Sequence, residues 1–149
     1  MKVFCYGSNM NTLRITERCS GANFISTAKV IGWKLLFNKI SKDGSGKANL
    51  ISTNDDSQVW GVIFDISNEQ KPLLDKAEGL GKGYDQHELV VINDLEQEIR
   101  CLCYISTDEK YLDNNLKPFN WYREMCIFGA KEHNLPPDYI LLLEKVRVS

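Results

Sequence analysis

The sequence predicts an α+β fold: a small, curved, mixed or antiparallel sheet of about six strands that closes into a β-barrel, with flanking helices. Three observations predict it. Short apolar, β-branched and aromatic runs bounded by turn residues fill the first two thirds of the chain. Few helical stretches separate those runs, so parallel crossover units are disfavoured. The last 30 residues switch to helical spacing. At 149 residues the chain is expected to form one domain, 1–149.

The elements follow in order. "KVFCY" is a short apolar strand that runs into the polar turn Gly7-Ser8-Asn9. "NTLRITERC" reads as a short helix with Asn11 or Thr12 as its N-cap. "FISTAKVIGWKLLFNK" is long and β-rich, and Gly32 interrupts it, which predicts a bent strand or a pair. "SKDGSGK" is a hairpin tip. "ANLISTN" and "QVWGVIFDI" are strands separated by the turn residues "DDS". "SNEQKPLLDKAEGL" is a helix with Ser67 as N-cap and Gly79 just past its end. "YDQHELVVIN" and "EIRCLCYIST" are strands joined by "DLEQ". "FNWYREMCIFGAKEHN" is a helix, and "PPDYILLLEKVRV" is another that starts at Pro136 or Pro137.

Composition excludes several classes. Net charge is -2, which argues against a nucleic-acid binder. No apolar run is long enough to span a membrane. The N-terminus turns polar within a few residues, without the apolar stretch of a signal peptide, so a cytoplasmic location is expected. The five cysteines are an odd number, read as reduced and as small core residues. They and the two histidines lack zinc-site spacing, so no metal is expected.

Two stretches can carry chemistry. The first is Tyr6-Gly7-Ser8-Asn9, where a strand ends in small residues and feeds a helix. Such a turn can gather backbone N–H groups around an anion or an oxyanion, although Gly-Ser-Asn is also an ordinary turn. The second is "LLDKAEGLGKGY". Asp75 and Glu78 share a helix face, and Glu78 sits at the helix C-terminus. The macrodipole disfavours an anion there by about 0.3–1 kcal/mol, which suits a carboxyl that must take up and return a proton.

Together "YGSNM", "VWGVIFDI", "LLDKAEG" followed by "GY", "CYIS" and "WYREMCIFGAKEHNLPPDY" resemble the γ-glutamylcyclotransferase family, in the family's order and across nearly the whole chain. The resemblance implies a γ-glutamylcyclotransferase-like barrel without cofactor or metal. It implies an enzyme that cyclises γ-glutamyl amino acids or amines to 5-oxoproline and releases the free amine. On this resemblance Glu78 looks like the catalytic acid/base, and Tyr6, Gly7, Ser8 and Asn9 like the loop that cradles the γ-glutamyl group. Tyr84, Tyr104 and Tyr122 fall where the family places pocket tyrosines, and Asp75 looks like support. Loops 41–48 and 107–118 are expected to select the leaving group. The implied partner is a small γ-glutamyl substrate, with no nucleic acid and no membrane, and a homodimer stays open. The alternatives are a γ-glutamylamine (ε-lysine) cyclotransferase, a biosynthetic γ-glutamyl deprotection enzyme, or a non-catalytic binding module of the same fold.

Overall fold

A computed structural model describes every residue, Met1–Ser149. The strands are β1 (Lys2–Cys5), β2 (Asn23–Ile31), β3 (Trp33–Ile40), β4 (Gly46–Ser52), β5 (Gln58–Asp65), β6 (Asp85–Asn93) and β7 (Glu98–Ile105). The helices are α1 (Thr12–Arg18), α2 (Lys71–Glu78), α3 (Asn120–Glu132) and α4 (Pro137–Glu144). Five strands close a barrel in the order β1-β5-β2-β6-β7. Its neighbours are antiparallel except at the closure, where β1 and β7 run parallel with Val3 opposite Leu102.

The remaining strands, β3 and β4, form a separate antiparallel ribbon. The long β-rich segment around Gly32 is therefore a pair of strands in two different sheets. Gly32 takes a φ of 87° at the joint. Its N–H donates to the Ser57 carbonyl, and its carbonyl accepts from Thr53 N–H, so the joint is bonded although it leaves both ladders.

Local signals account for several element ends. Asn11 is the N-cap of α1: its side chain accepts from Arg14 N–H. Gly79 ends α2 in the left-handed conformation, and its N–H returns to the Asp75 and Lys76 carbonyls. Ser67 works one turn earlier than expected. Its hydroxyl accepts from Gln70 N–H in the turn before α2, and the helix itself begins at Lys71.

A contiguous core of 32 buried apolar residues fills the barrel and the space beneath the helices. In β5, Val59 and Gly61 to Phe64 are all buried. That run has no solvated face. Phe64 is covered by the ring of His133, whose imidazole also stacks on Phe24 at 4.7 Å. All five cysteines are buried and unpaired. Burial pushes the Cys126 thiol up to about 12 and Cys101 up to about 11, so neither is an available nucleophile near neutrality. No helix is long and apolar enough to cross a membrane.

The ribbon is tied to the barrel by a buried polar cluster. Asn49 exchanges two hydrogen bonds with the Ser106 backbone and donates a third to Asn38. The segment after β7 braces the same ribbon from behind. Asp113 N–H donates to the Asn38 carbonyl, and Gly46 N–H donates to Lys117.

Candidate active site

A cavity of about 820 Å³ opens between the end of β1, the β3–β4 ribbon and the C-terminus of α2. Its wall contains every expected site residue: Tyr6, Gly7, Ser8, Asn9, Glu78, Tyr84, Tyr104 and Tyr122. They come from opposite ends of the chain, and the fold is what brings them together.

The loop is built first. After β1 the chain turns at Gly7, and Ser8–Met10 form a single tight 3₁₀ turn closed by Met10 N–H on the Gly7 carbonyl. The N–H groups of Gly7, Ser8 and Asn9, at the entry to this turn, donate to no protein acceptor. They are the free donors that the sequence turn leads one to expect. Gly7 has φ -114°, so a left-handed conformation is not what demands glycine here. Space is. A Cβ on Gly7 would lie 2.9 Å from Ala48 Cβ and 3.2 Å from the Tyr122 hydroxyl.

Glu78 reaches the cavity from the last residue of α2. Its Oε1 accepts from Asn9 Nδ2 at 2.5 Å and from Arg18 Nη1 at 3.1 Å. Arg18 Nη1 also donates to Asn9 Oδ1 at 2.8 Å, which closes a triangle of three side chains. Its second oxygen, Oε2, makes no protein hydrogen bond. One carboxylate oxygen thus fixes the rotamer, and the other is left for chemistry. The pair is mostly shielded, with side-chain exposures of 22% for Arg18 and 14% for Glu78.

Asp75 does not line the cavity. Both its oxygens accept from Lys71 Nζ at 2.8 Å, and Oδ1 also accepts from the Tyr104 hydroxyl at 2.5 Å. These bonds pin α2 to β7, one helical turn before Glu78. Tyr104→Phe deletes the donor and leaves Asp75 to Lys71 alone. The expected cost is about 1–2 kcal/mol of stability, read from chemical denaturation at unchanged slope. A loss under about 0.5 kcal/mol would mean that Lys71 alone holds the helix.

The other tyrosines are also braced. The Tyr6 hydroxyl donates to the Tyr104 carbonyl at 2.5 Å. Tyr84 donates to the Ala48 carbonyl at 2.5 Å, and Tyr122 accepts from Ala48 N–H at 3.1 Å. Two phenols therefore clamp β4 of the ribbon over the loop. Burial raises all four phenols well above their ordinary range, with the Asp75 carboxylate adding to the effect at Tyr104. They serve the cavity as neutral ring faces and oriented hydroxyls.

Sequence reading missed the basic half of the wall. Five lysines and two arginines line the cavity, against two acids, Asp43 and Glu78. Arg14 Nε donates to Ser8 Oγ at 2.8 Å. Arg14 and Arg18 stand four apart on the helix that follows the loop, and that spacing was a usable signal. Lys39 and Lys47 lie on either side of the hairpin tip, where nothing local marks them. Of the two expected selecting loops, residues 41–43, 47 and 48 line the cavity. Loop 107–118 contributes nothing to the wall, because it is spent on bracing the far side of the ribbon.

Comparison with known proteins agrees with this architecture. The model of the AIG2-like family matches residues 58–143. The γ-glutamylcyclotransferase of Bos taurus is 33% identical over 141 residues, covering 91% of this chain and 73% of the bovine protein. That of Homo sapiens is 32% identical over the same length and coverage. A solved structure described as a γ-glutamyl cyclotransferase superposes with a TM-score of 0.93 at 28% identity, over 100% of this chain and 89% of that one.

Proposed function

Because the chain belongs to the AIG2-like γ-glutamylcyclotransferase family, we propose that it cyclises γ-glutamyl compounds to 5-oxoproline, with Glu78 as the proton carrier. The observation that supports Glu78 most directly is the division of labour in its carboxylate. Oε1 is held by Asn9 and Arg18, and Oε2 has no protein partner.

The substrate supplies its own nucleophile. Its α-amine attacks its γ-carbonyl carbon, a ring C–N bond forms, and the amide C–N bond to the leaving amine breaks. The enzyme need only hold the folded rotamer, and positioning of that kind is worth several kcal/mol. Glu78 takes a proton from the attacking nitrogen and delivers it to the departing one. Proton count and charge balance without a covalent enzyme intermediate. The free N–H groups of residues 7 to 9 and the Arg14 guanidinium offer donors to the substrate carboxylate or to the tetrahedral oxyanion. Tyr6, Tyr84, Tyr104 and Tyr122 wall the γ-glutamyl group, and Asp75 holds the helix that carries Glu78.

The test is a 5-oxoproline assay with γ-glutamyl-alanine, γ-glutamyl-ε-lysine and glutathione. Product from γ-glutamyl-alanine is the expected result. Product from γ-glutamyl-ε-lysine alone would reassign the leaving group to amines. Product from none of the three would overturn the reaction proposed.

A further inference from the structure

We propose that the cavity carries a second anion subsite, formed by Lys39, Lys42 and Lys82, which selects a leaving group bearing a side-chain carboxylate, as in γ-glutamyl-glutamate or γ-glutamyl-aspartate. The inference rests on the reaction proposed above and names its substrate class more narrowly.

Within the wall, Arg18 is paired with Glu78, and Lys47 is paired with Asp43 at 3.5 Å. Arg14, Lys39, Lys42, Lys76 and Lys82 make no ion pair, although the chain as a whole is slightly acidic. Lys76 stands apart on α2, two residues before Glu78, and the other four unpaired cations fall into two groups. Arg14 is bonded to Ser8 and so belongs to the γ-glutamyl loop. Lys39 lies with its ammonium 5.1 Å from the centre of the Tyr84 ring. Lys42 follows it in the hairpin tip between β3 and β4, and Lys82 stands in the turn between α2 and β6.

A γ-glutamyl group brings one carboxylate and one amine, and the loop side already supplies a cation for that carboxylate. The lysine group makes no ion pair within the protein, and the γ-glutamyl half of the substrate brings no second carboxylate to it. A half-buried ammonium without a counter-ion is costly, and burial lowers Lys39 from the usual lysine range while Glu78 pulls it back up. The α-carboxylate that any leaving amino acid carries answers one of the three ammonium groups, and a side-chain carboxylate answers a second. A cleft lined by one sign of charge also concentrates ligands of the opposite sign. A leaving group that carries an additional ammonium gains nothing there.

The experiment compares kcat/KM for γ-glutamyl-glutamate and γ-glutamyl-glutamine, which match in shape and differ by one charge. The acidic dipeptide is expected to be favoured about tenfold at low salt, and the ratio is expected to fall toward one near 1 M salt. The double variant Lys42→Gln/Lys82→Gln is expected to cut the low-salt ratio by about threefold. Equal kcat/KM at low salt, or a ratio unmoved in the double variant, would overturn the subsite. If neither dipeptide yields 5-oxoproline, the reaction proposed is what fails. Calorimetric binding of the same two dipeptides then decides the subsite separately: tighter binding of γ-glutamyl-glutamate supports it, and equal binding overturns it.

Discussion

Replacing Glu78 by Gln is expected to lower kcat for γ-glutamyl-alanine by about 10²–10⁴-fold while the protein stays folded. The substitution keeps the length and shape of the side chain. The amide oxygen can still accept from Asn9 Nδ2 and Arg18 Nη1, so the triangle around Oε1 survives. What disappears is the ability to take a proton at the second position. Arg18 keeps a hydrogen bond to the amide oxygen but loses a charged partner at a mostly shielded site, which costs about 1–3 kcal/mol of stability. The loss of rate should therefore appear in kcat with KM little changed, alongside a melting temperature lowered by several degrees. A kcat within a factor of about three of wild type would remove Glu78 from the proton path.

Gly7→Ala is expected to lower kcat/KM by about 10–100-fold, because it moves the loop against the ribbon. The new methyl would lie 2.9 Å from Ala48 Cβ and 3.2 Å from the Tyr122 hydroxyl. Neither neighbour yields easily. Ala48 is held at its N–H by Tyr122 and at its carbonyl by Tyr84, and all three residues are buried. Either the ribbon lifts or the loop retreats from the cavity. Overpacking of this kind costs about 1–3 kcal/mol of stability as well. Measured kcat/KM and denaturation midpoint check both parts. Full activity with unchanged stability would mean that the loop absorbs a methyl without cost and does not set the geometry.

Much of the molecule was legible in its sequence because the relevant signals are short-range. The Asn11 cap, the Gly79 helix stop and the hairpin tip at 41–45 each depend on residues a few positions apart. Burial of the cysteines was legible from residue type and context. Two expectations shifted for the same kind of reason. Ser67 has the chemistry of a helix cap, but the chain makes a separate turn before α2. Loop 107–118 has the composition of a selecting loop, yet its backbone is committed to β3 and β4.

The site divides along the same line. The sequence by itself determined the parts: the small-residue turn after the first strand, the carboxylate at a helix end and the order in which they occur, while the pocket tyrosines came only through the family resemblance. Tertiary structure alone decided what those parts do to one another. Asn9 meets Glu78 across 69 positions, Arg18 across 60, and Tyr6 finds its acceptor 98 positions away. Only barrel closure and the docking of the ribbon make these neighbours, and with them the basic wall. The physical reason is that caps and turns are satisfied within one or two turns of backbone. Ion pairs, clamps and cavity charge arise between side chains that the fold, not the local chain, brings within hydrogen-bonding range.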